Sequence, residues 1–180
     1  NRSGFQFQLL ETIPYGESGA APQTLLPVDW DRDIDLDVLL AGTKAAAAEL
    51  LQNHRHGQFS RQPWADGFAP IASARDTAIL GADGNGSWDV VTAGDEEITL
   101  LRTETLDESQ VQLLSATQIS PTVAEGIVVW DYDNDGRFDL LAWSDAGNEI
   151  FRGDGAGGFE LVEGLWDPPP MGIIKCAAAD

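Results

Sequence analysis

The chain has 180 residues, 30 of them acidic and 10 basic, giving a formal net charge of −20 and a pI near 4.1. That balance argues against nucleic acid and anionic membrane surfaces as partners, since both repel a polyanion, and it suits cations. A single cysteine, Cys176, leaves no intrachain disulfide and reads as a small buried residue, and no stretch reaches the roughly 18 apolar residues of a membrane span.

The chain opens Asn1-Arg2-Ser3-Gly4-Phe5, with neither an initiator Met nor a signal peptide, and reads as a processed or excised start. Arg2 to Phe5 resembles the end of a turn that recurs further on. A short apolar run, Leu25 to Val28, leads into the acidic loop Asp29-Trp30-Asp31-Arg32-Asp33-Ile34-Asp35-Leu36-Asp37, and Val38 to Ala41 follows it. The alanines of Lys44 to Leu51 favour helix by propensity, but the repeat alignment predicts an extended loop over Lys44 to Ala47 and a strand from Ala48. Glu49 to Gln52 and Phe59 to Gln62 complete the first unit around the turn Asn53-His54-Arg55-His56-Gly57.

The second unit repeats this order. Ala78 to Leu80 precedes Gly81-Ala82-Asp83-Gly84-Asn85-Gly86-Ser87-Trp88-Asp89, and Val90 to Ala93, Glu97 to Leu101 and Gln110 to Leu114 follow, with Asp95-Glu96-Glu97 as an exposed hairpin loop. In the third unit Ile127 to Trp130 precedes Asp131-Tyr132-Asp133-Asn134-Asp135-Gly136-Arg137-Phe138-Asp139. Leu140 to Trp143, Glu149 to Phe151, the turn Gly153-Asp154-Gly155-Ala156-Gly157-Gly158 and Phe159 to Val162 come next. Trp166-Asp167-Pro168-Pro169-Pro170 reads as a rigid connection. Ile173 to Ala179 and Asp180 read as the start of another unit.

The loops begin at residues 29, 81 and 131, so the period is 52 and then 50 residues. Four short apolar runs per period, rich in Val, Ile, Leu, Trp and Phe and punctuated by Gly and Asp, are too short for helices and read as four strands. About 50 residues carrying four strands describes one blade of a β-propeller. The expected organisation is all-β: a blade end at 1–23, blades at 24–75, 76–124 and 125–171, and the start of a further blade at 172–180.

Loop chemistry points to a hard cation. Calcium takes six to eight oxygen ligands. Acids at positions 1, 3 and 5 of a tight loop turn toward one point, a glycine at position 6 permits the bend, the position 7 carbonyl faces the ion, and an acid at position 9 closes the site. The predicted ligands are Asp29, Asp31, Asp33, Asp35 and Asp37 in the first loop, and Asp131, Asp133, Asp135, the Arg137 carbonyl and Asp139 in the third. An EF-hand is excluded, because position 12 is Leu40 or Ala142 rather than Glu and the flanks are strands. One Asp-rich turn alone would read as a solvated turn, its carboxylates bonding backbone amides; three in register favour a metal. Ile34 in place of glycine predicts a distorted first loop. Gly81 and Asn85 make the middle loop degenerate, with Asp83 and Asp89 retained.

The stretch from Asp131 to Leu141, followed by Gly153 to Phe159, resembles an FG-GAP/VCBS repeat, the kind that builds the calcium-loop blades of integrin α-subunit propellers. The resemblance covers nearly the whole chain as three repeats with partial ends. It implies calcium on the loop between the first two strands of each blade. It also implies a seven- or eight-bladed propeller, and a place outside the cytoplasm: extracellular, cell-surface or periplasmic. Three blades and two fragments cannot close a propeller, so further blades or another chain are expected to complete it.

Other features carry plainer readings. His54 and His56 could suit zinc or copper, but with no third ligand nearby they read as a solvated turn. Trp30, Trp88, Trp130 and Trp143 could stack on sugars, yet aromatics between blades are more often core. The expected function is a non-catalytic calcium-binding module for protein or carbohydrate recognition, or for scaffolding. The alternative is a segment of a propeller enzyme such as a polysaccharide lyase, which would want a basic cleft; two Tyr, two His and ten basic residues supply little of one.

Overall fold

A computed structural model of the chain describes residues 22–42, 48–55, 57–64, 68–107 and 110–164. Among the described residues, twelve strands form three four-stranded antiparallel sheets, each a simple meander. The first sheet holds β1 (Thr24–Val28), β2 (Asp37–Ala41), β3 (Glu49–Asn53) and β4 (Phe59–Pro63). The second holds β5 (Asp76–Leu80), β6 (Asp89–Ala93), β7 (Ile98–Asp107) and β8 (Gln110–Ser120). The third holds β9 (Gly126–Trp130), β10 (Asp139–Ser144), β11 (Gly147–Gly153) and β12 (Phe159–Leu161). The all-β expectation and its four strands per unit are therefore met. Arg2 to Phe5, Lys44 to Ala47, His56, the Trp166 to Pro170 segment, Cys176 and the run to Asp180 lie outside the described residues.

The sheets pack face to face, with first strand beside first strand: β1 touches β5, and β5 touches β9. That arrangement explains why the inner strands are apolar without alternation. In β6 all five residues are buried, and neighbouring side chains serve opposite faces. Val90 and Leu101 join the core shared with the first sheet, alongside Leu39, Leu50 and Trp30. Val91 and Leu100 join the core shared with the third, alongside Ile127, Leu140 and Phe151. Each such side chain, fully withdrawn from water, contributes about 1.5–3 kcal/mol.

Two features depart from the apolar-run reading. The β7–β8 hairpin runs well beyond Leu101 and Leu114, because Thr103 and Thr105 extend β7 as β-branched rather than apolar residues. A five-residue helix, α1 (Ala69–Ser73), follows the first sheet. Its buried Ile71 belongs to the first core, where Trp30 meets Trp64 edge-on at 4.9 Å and Trp64 meets Phe68 at 4.6 Å. Trp30 and Trp143 are buried and Trp88 is half-buried against that core, in keeping with the core reading of these aromatics.

Candidate metal centre

Each acidic loop joins the first two strands of its sheet. The residue before position 1 pairs with position 9 in every case: Val28 with Asp37, Leu80 with Asp89, Trp130 with Asp139. The three loops also share a backbone path. Position 4 has a left-handed φ of 62° at Arg32, 68° at Gly84 and 58° at Asn134, and position 6 has 82° at Ile34, 91° at Gly86 and 84° at Gly136. Ile34 thus bends as its glycine counterparts do, and the misfit foreseen for a β-branched residue is carried as backbone strain.

Among the described residues, two groups of carboxylates gather. Asp29, Asp31 and Asp33 bring one oxygen each within 4.8 Å of one another, as do Asp131, Asp133 and Asp139. Asp35, Asp37 and Asp135 lie outside these groups. Asp35 accepts from Arg55 Nε at 2.5 Å, while Arg55 Nη2 donates to the Asp33 carbonyl at 2.8 Å. Asp135 accepts the Arg137 amide at 3.0 Å and lies 3.4 Å from Arg152 Nη2. Arg137 itself enters the loop through that amide.

Part of each loop is held by its own amides. The position 5 side chain accepts the position 7 amide in all three: Asp33 from Asp35 at 2.9 Å, Asn85 from Ser87 at 2.7 Å, Asp135 from Arg137 at 3.0 Å. Asp29 accepts from the Ile34 amide at 3.2 Å through Oδ2, and Asp131 from the Gly136 amide at 2.8 Å. Asp29 Oδ1, by contrast, is buried with no hydrogen-bond partner. A buried carboxylate oxygen without a donor is costly, and this one belongs to the residue that gathers with Asp31 and Asp33. The donor set, all carboxylate oxygen, fits a hard divalent cation.

Residues 131–180 match the model of the FG-GAP-like repeat. That stretch is similar to an FG-GAP-like repeat. No curated protein matches the chain. The FG-GAP-like repeat starts on the first acid of the third loop, and FG-GAP repeats are propeller blades. The two sheets before it have the same meander and the same loop path.

The repeat contains two further devices that the spacing of acids did not disclose. The first belongs to position 9. Asp139 accepts the Tyr132 amide through Oδ2 and the Gly153 amide through Oδ1, both at 2.8 Å, and its exposure is nil. Asp37 does the same for the Trp30 amide at 3.0 Å and the Asn53 amide at 2.8 Å, and Asp89 for Ala82 and Thr103, both at 2.9 Å. Burial pushes the Asp37 carboxyl above its ordinary value, the two amides pull it back, and Asp31 and Asp33 push it up again. Burial also raises Asp89, against the pull of Thr103 and Ala82.

The second device belongs to position 3, where each carboxylate meets a donor from the third strand. Gln52 Nε2 donates to Asp31 at 3.0 Å, Arg102 Nε to Asp83 at 2.9 Å, and Arg152 Nη2 lies 2.9 Å from Asp133. Acids in a row signalled the loop; its donors come from a strand some 20 residues away, at positions that look like ordinary polar strand residues. The loops also meet across sheets. Trp88 Nε1 donates to the Asp29 carbonyl at 2.8 Å, and the Gly157 amide to the Ala82 carbonyl at 3.0 Å. His54 is exposed, and its Nε2 lies 2.6 Å from Ser60 Oγ, as suits a turn residue.

Proposed function

We propose that this chain is a calcium-stabilised propeller module, non-catalytic, that presents a recognition or scaffolding surface for a protein or glycan partner in a larger extracellular protein. The observation that carries the reading is Asp29 Oδ1, buried and partnerless beside Asp31 and Asp33. The first ion would be held by Asp29, Asp31 and Asp33, with Asp35 and Asp37 supporting. The second would be held by Asp131, Asp133 and Asp139, with Asp135 and the Arg137 carbonyl. A divalent cation there would offset the mutual repulsion of three carboxylates and fix the turn between the first two strands. The role is structural: ion and carboxylates together clamp the start of the first and third blades, and the partner-binding surface is built on that frame. Further blades, from this protein or another chain, complete the ring.

Calcium titration by calorimetry on metal-stripped protein, with thermal unfolding in parallel, tests this. Two sites and a rise in melting temperature with calcium are expected. Asp133→Ala should weaken binding more than Asp83→Ala, since Asp83 belongs to neither gathered group. No heat of binding at millimolar calcium would reduce the loops to self-satisfied turns and remove the calcium reading.

A further inference from the structure

Gln52, Arg102 and Arg152 hold one equivalent place in three sheets. Each directly precedes the residue whose amide reaches the position 9 carboxylate, namely Asn53, Thr103 and Gly153. Each also engages the position 3 carboxylate of its own loop. We propose that this residue selects the cation its loop holds: an external metal above Gln52, the protein's own guanidinium above Arg102, and the two in competition above Arg152. The inference rests on the metal reading of the loops and extends it to what sets occupancy.

The middle loop carries the argument. It lacks an acid at position 1, and its Asp83 side chain is only 5% exposed. A carboxylate so buried needs a compensating charge. Arg102 supplies it, with Nε and Nη2 both on Asp83 Oδ2. The guanidinium is held in place from outside as well: Gly157 of the third sheet lies over it, where a Cβ would come within 3.2 Å of Arg102 Nε. Arg102 is thus a fixed resident cation, and the middle blade needs no ion.

The other two loops bracket this case. Gln52 is neutral, so the acids gathered around Asp31 receive a hydrogen bond but no charge from it, and Asp29 Oδ1 stays without a partner. Arg55 pairs with the Asp35 carboxylate, outside the gathered group, and meets Asp33 at its backbone carbonyl rather than its carboxylate. Arg152 reaches Asp133 at 2.9 Å and Asp135 at 3.4 Å, but half of its side chain is exposed, so it can swing into solvent when a metal enters. A positive charge a few ångströms from the ion opposes binding throughout.

The middle loop has room for an acid at position 1. Gly81 does not have a positive φ, and a Cβ there meets nothing nearer than the Ser87 carbonyl at 4.0 Å. The test is calcium calorimetry on metal-stripped wild type, Gly81→Asp, Gly81→Asp/Arg102→Gln and Arg152→Gln, with Arg152→Gln repeated in an Asp133→Ala background. The double variant should bind one ion more than wild type, and Gly81→Asp alone no more than wild type. Arg152→Gln should tighten one site by about tenfold, a gain that vanishes with Asp133→Ala. An unchanged site count in the double variant, an equal gain from Gly81→Asp alone, or an Arg152→Gln site no tighter than wild type would each overturn the inference. Wild type binding no calcium while the double variant binds one would sink the metal reading of the native loops and leave the selection by Arg102 standing; no binding by either would sink both.

Discussion

Asp89 Oδ1 accepts the Thr103 amide at 2.9 Å, tying the start of β6 to the middle of β7. Its other oxygen accepts the Ala82 amide at the same distance, and the carboxylate has no exposed surface. The middle loop has no acid at position 1 yet has the same clasp as the other two, so the clasp is expected to hold without a metal. Asp89→Ala would strand two buried amides, each costing about 1–3 kcal/mol. Urea unfolding should show a loss of about 2–6 kcal/mol, equal in EDTA and in calcium. A loss that shrinks when calcium is added would mean that Asp89 acts through an ion.

Two carboxyls should titrate on opposite sides of 3.8, the ordinary aspartate value. Asp89 is raised above it by burial. Asp154 is lowered below it, chiefly by the Ala156 and Gly158 amides it accepts. For Asp89 the stabilising contribution is complete below 3.8 and declines as pH rises through the folded value. For Asp154 it is present above 3.8 and is lost as pH falls through the folded value. Carboxyl carbon NMR titration in EDTA reads both directly. In parallel, the stability advantage of wild type over Asp154→Asn should disappear in acid. Both groups titrating on the same side of 3.8 would overturn this assignment of causes.

The sequence made the repeat, the strand order and the loops visible because each rests on local pattern. Val90 and Val91 face different cores, so their strand reads as an unbroken apolar run. The β7–β8 hairpin was legible only as far as its apolar residues went, since Thr103 and Thr105 continue the strand by shape and not by hydrophobicity. Helix α1 was not legible at all: five residues give no helical period to read. At the candidate site the acids were visible, but the donors Gln52, Arg102 and Arg152 were not, because they come from strand three and only the pairing of strands brings them to the loop.

Among the described residues, Ile34 is the one most out of keeping with its backbone. It holds φ 82° where the other loops place Gly86 and Gly136, and the residue is 88% exposed, so no buried contact offsets the strain. A β-branched residue in left-handed conformation costs about 1–2 kcal/mol. Ile34→Asn should stabilise the protein by about 1 kcal/mol. Ile34→Gly should gain about half of that, since glycine adds freedom to the unfolded chain. Chemical denaturation midpoints check the order; destabilisation by both variants would show that Ile34 makes contacts its exposure conceals.

Gly126 is fixed by the opposite kind of constraint, one of space. It pairs with Trp143 across β9 and β10, and a Cβ built on it would run into the indole ring. Trp143 is buried and therefore cannot turn into solvent without giving up core contact. Gly126→Ala should cost about 1–3 kcal/mol, the usual range for forcing extra atoms into a packed interior. The pair Gly126→Ala/Trp143→Leu should lose less than the sum of its single changes, because the shorter side chain vacates the space the methyl needs. A double-mutant cycle by thermal or urea unfolding measures that coupling. Strict additivity would mean that the methyl is accommodated by backbone movement elsewhere in β9.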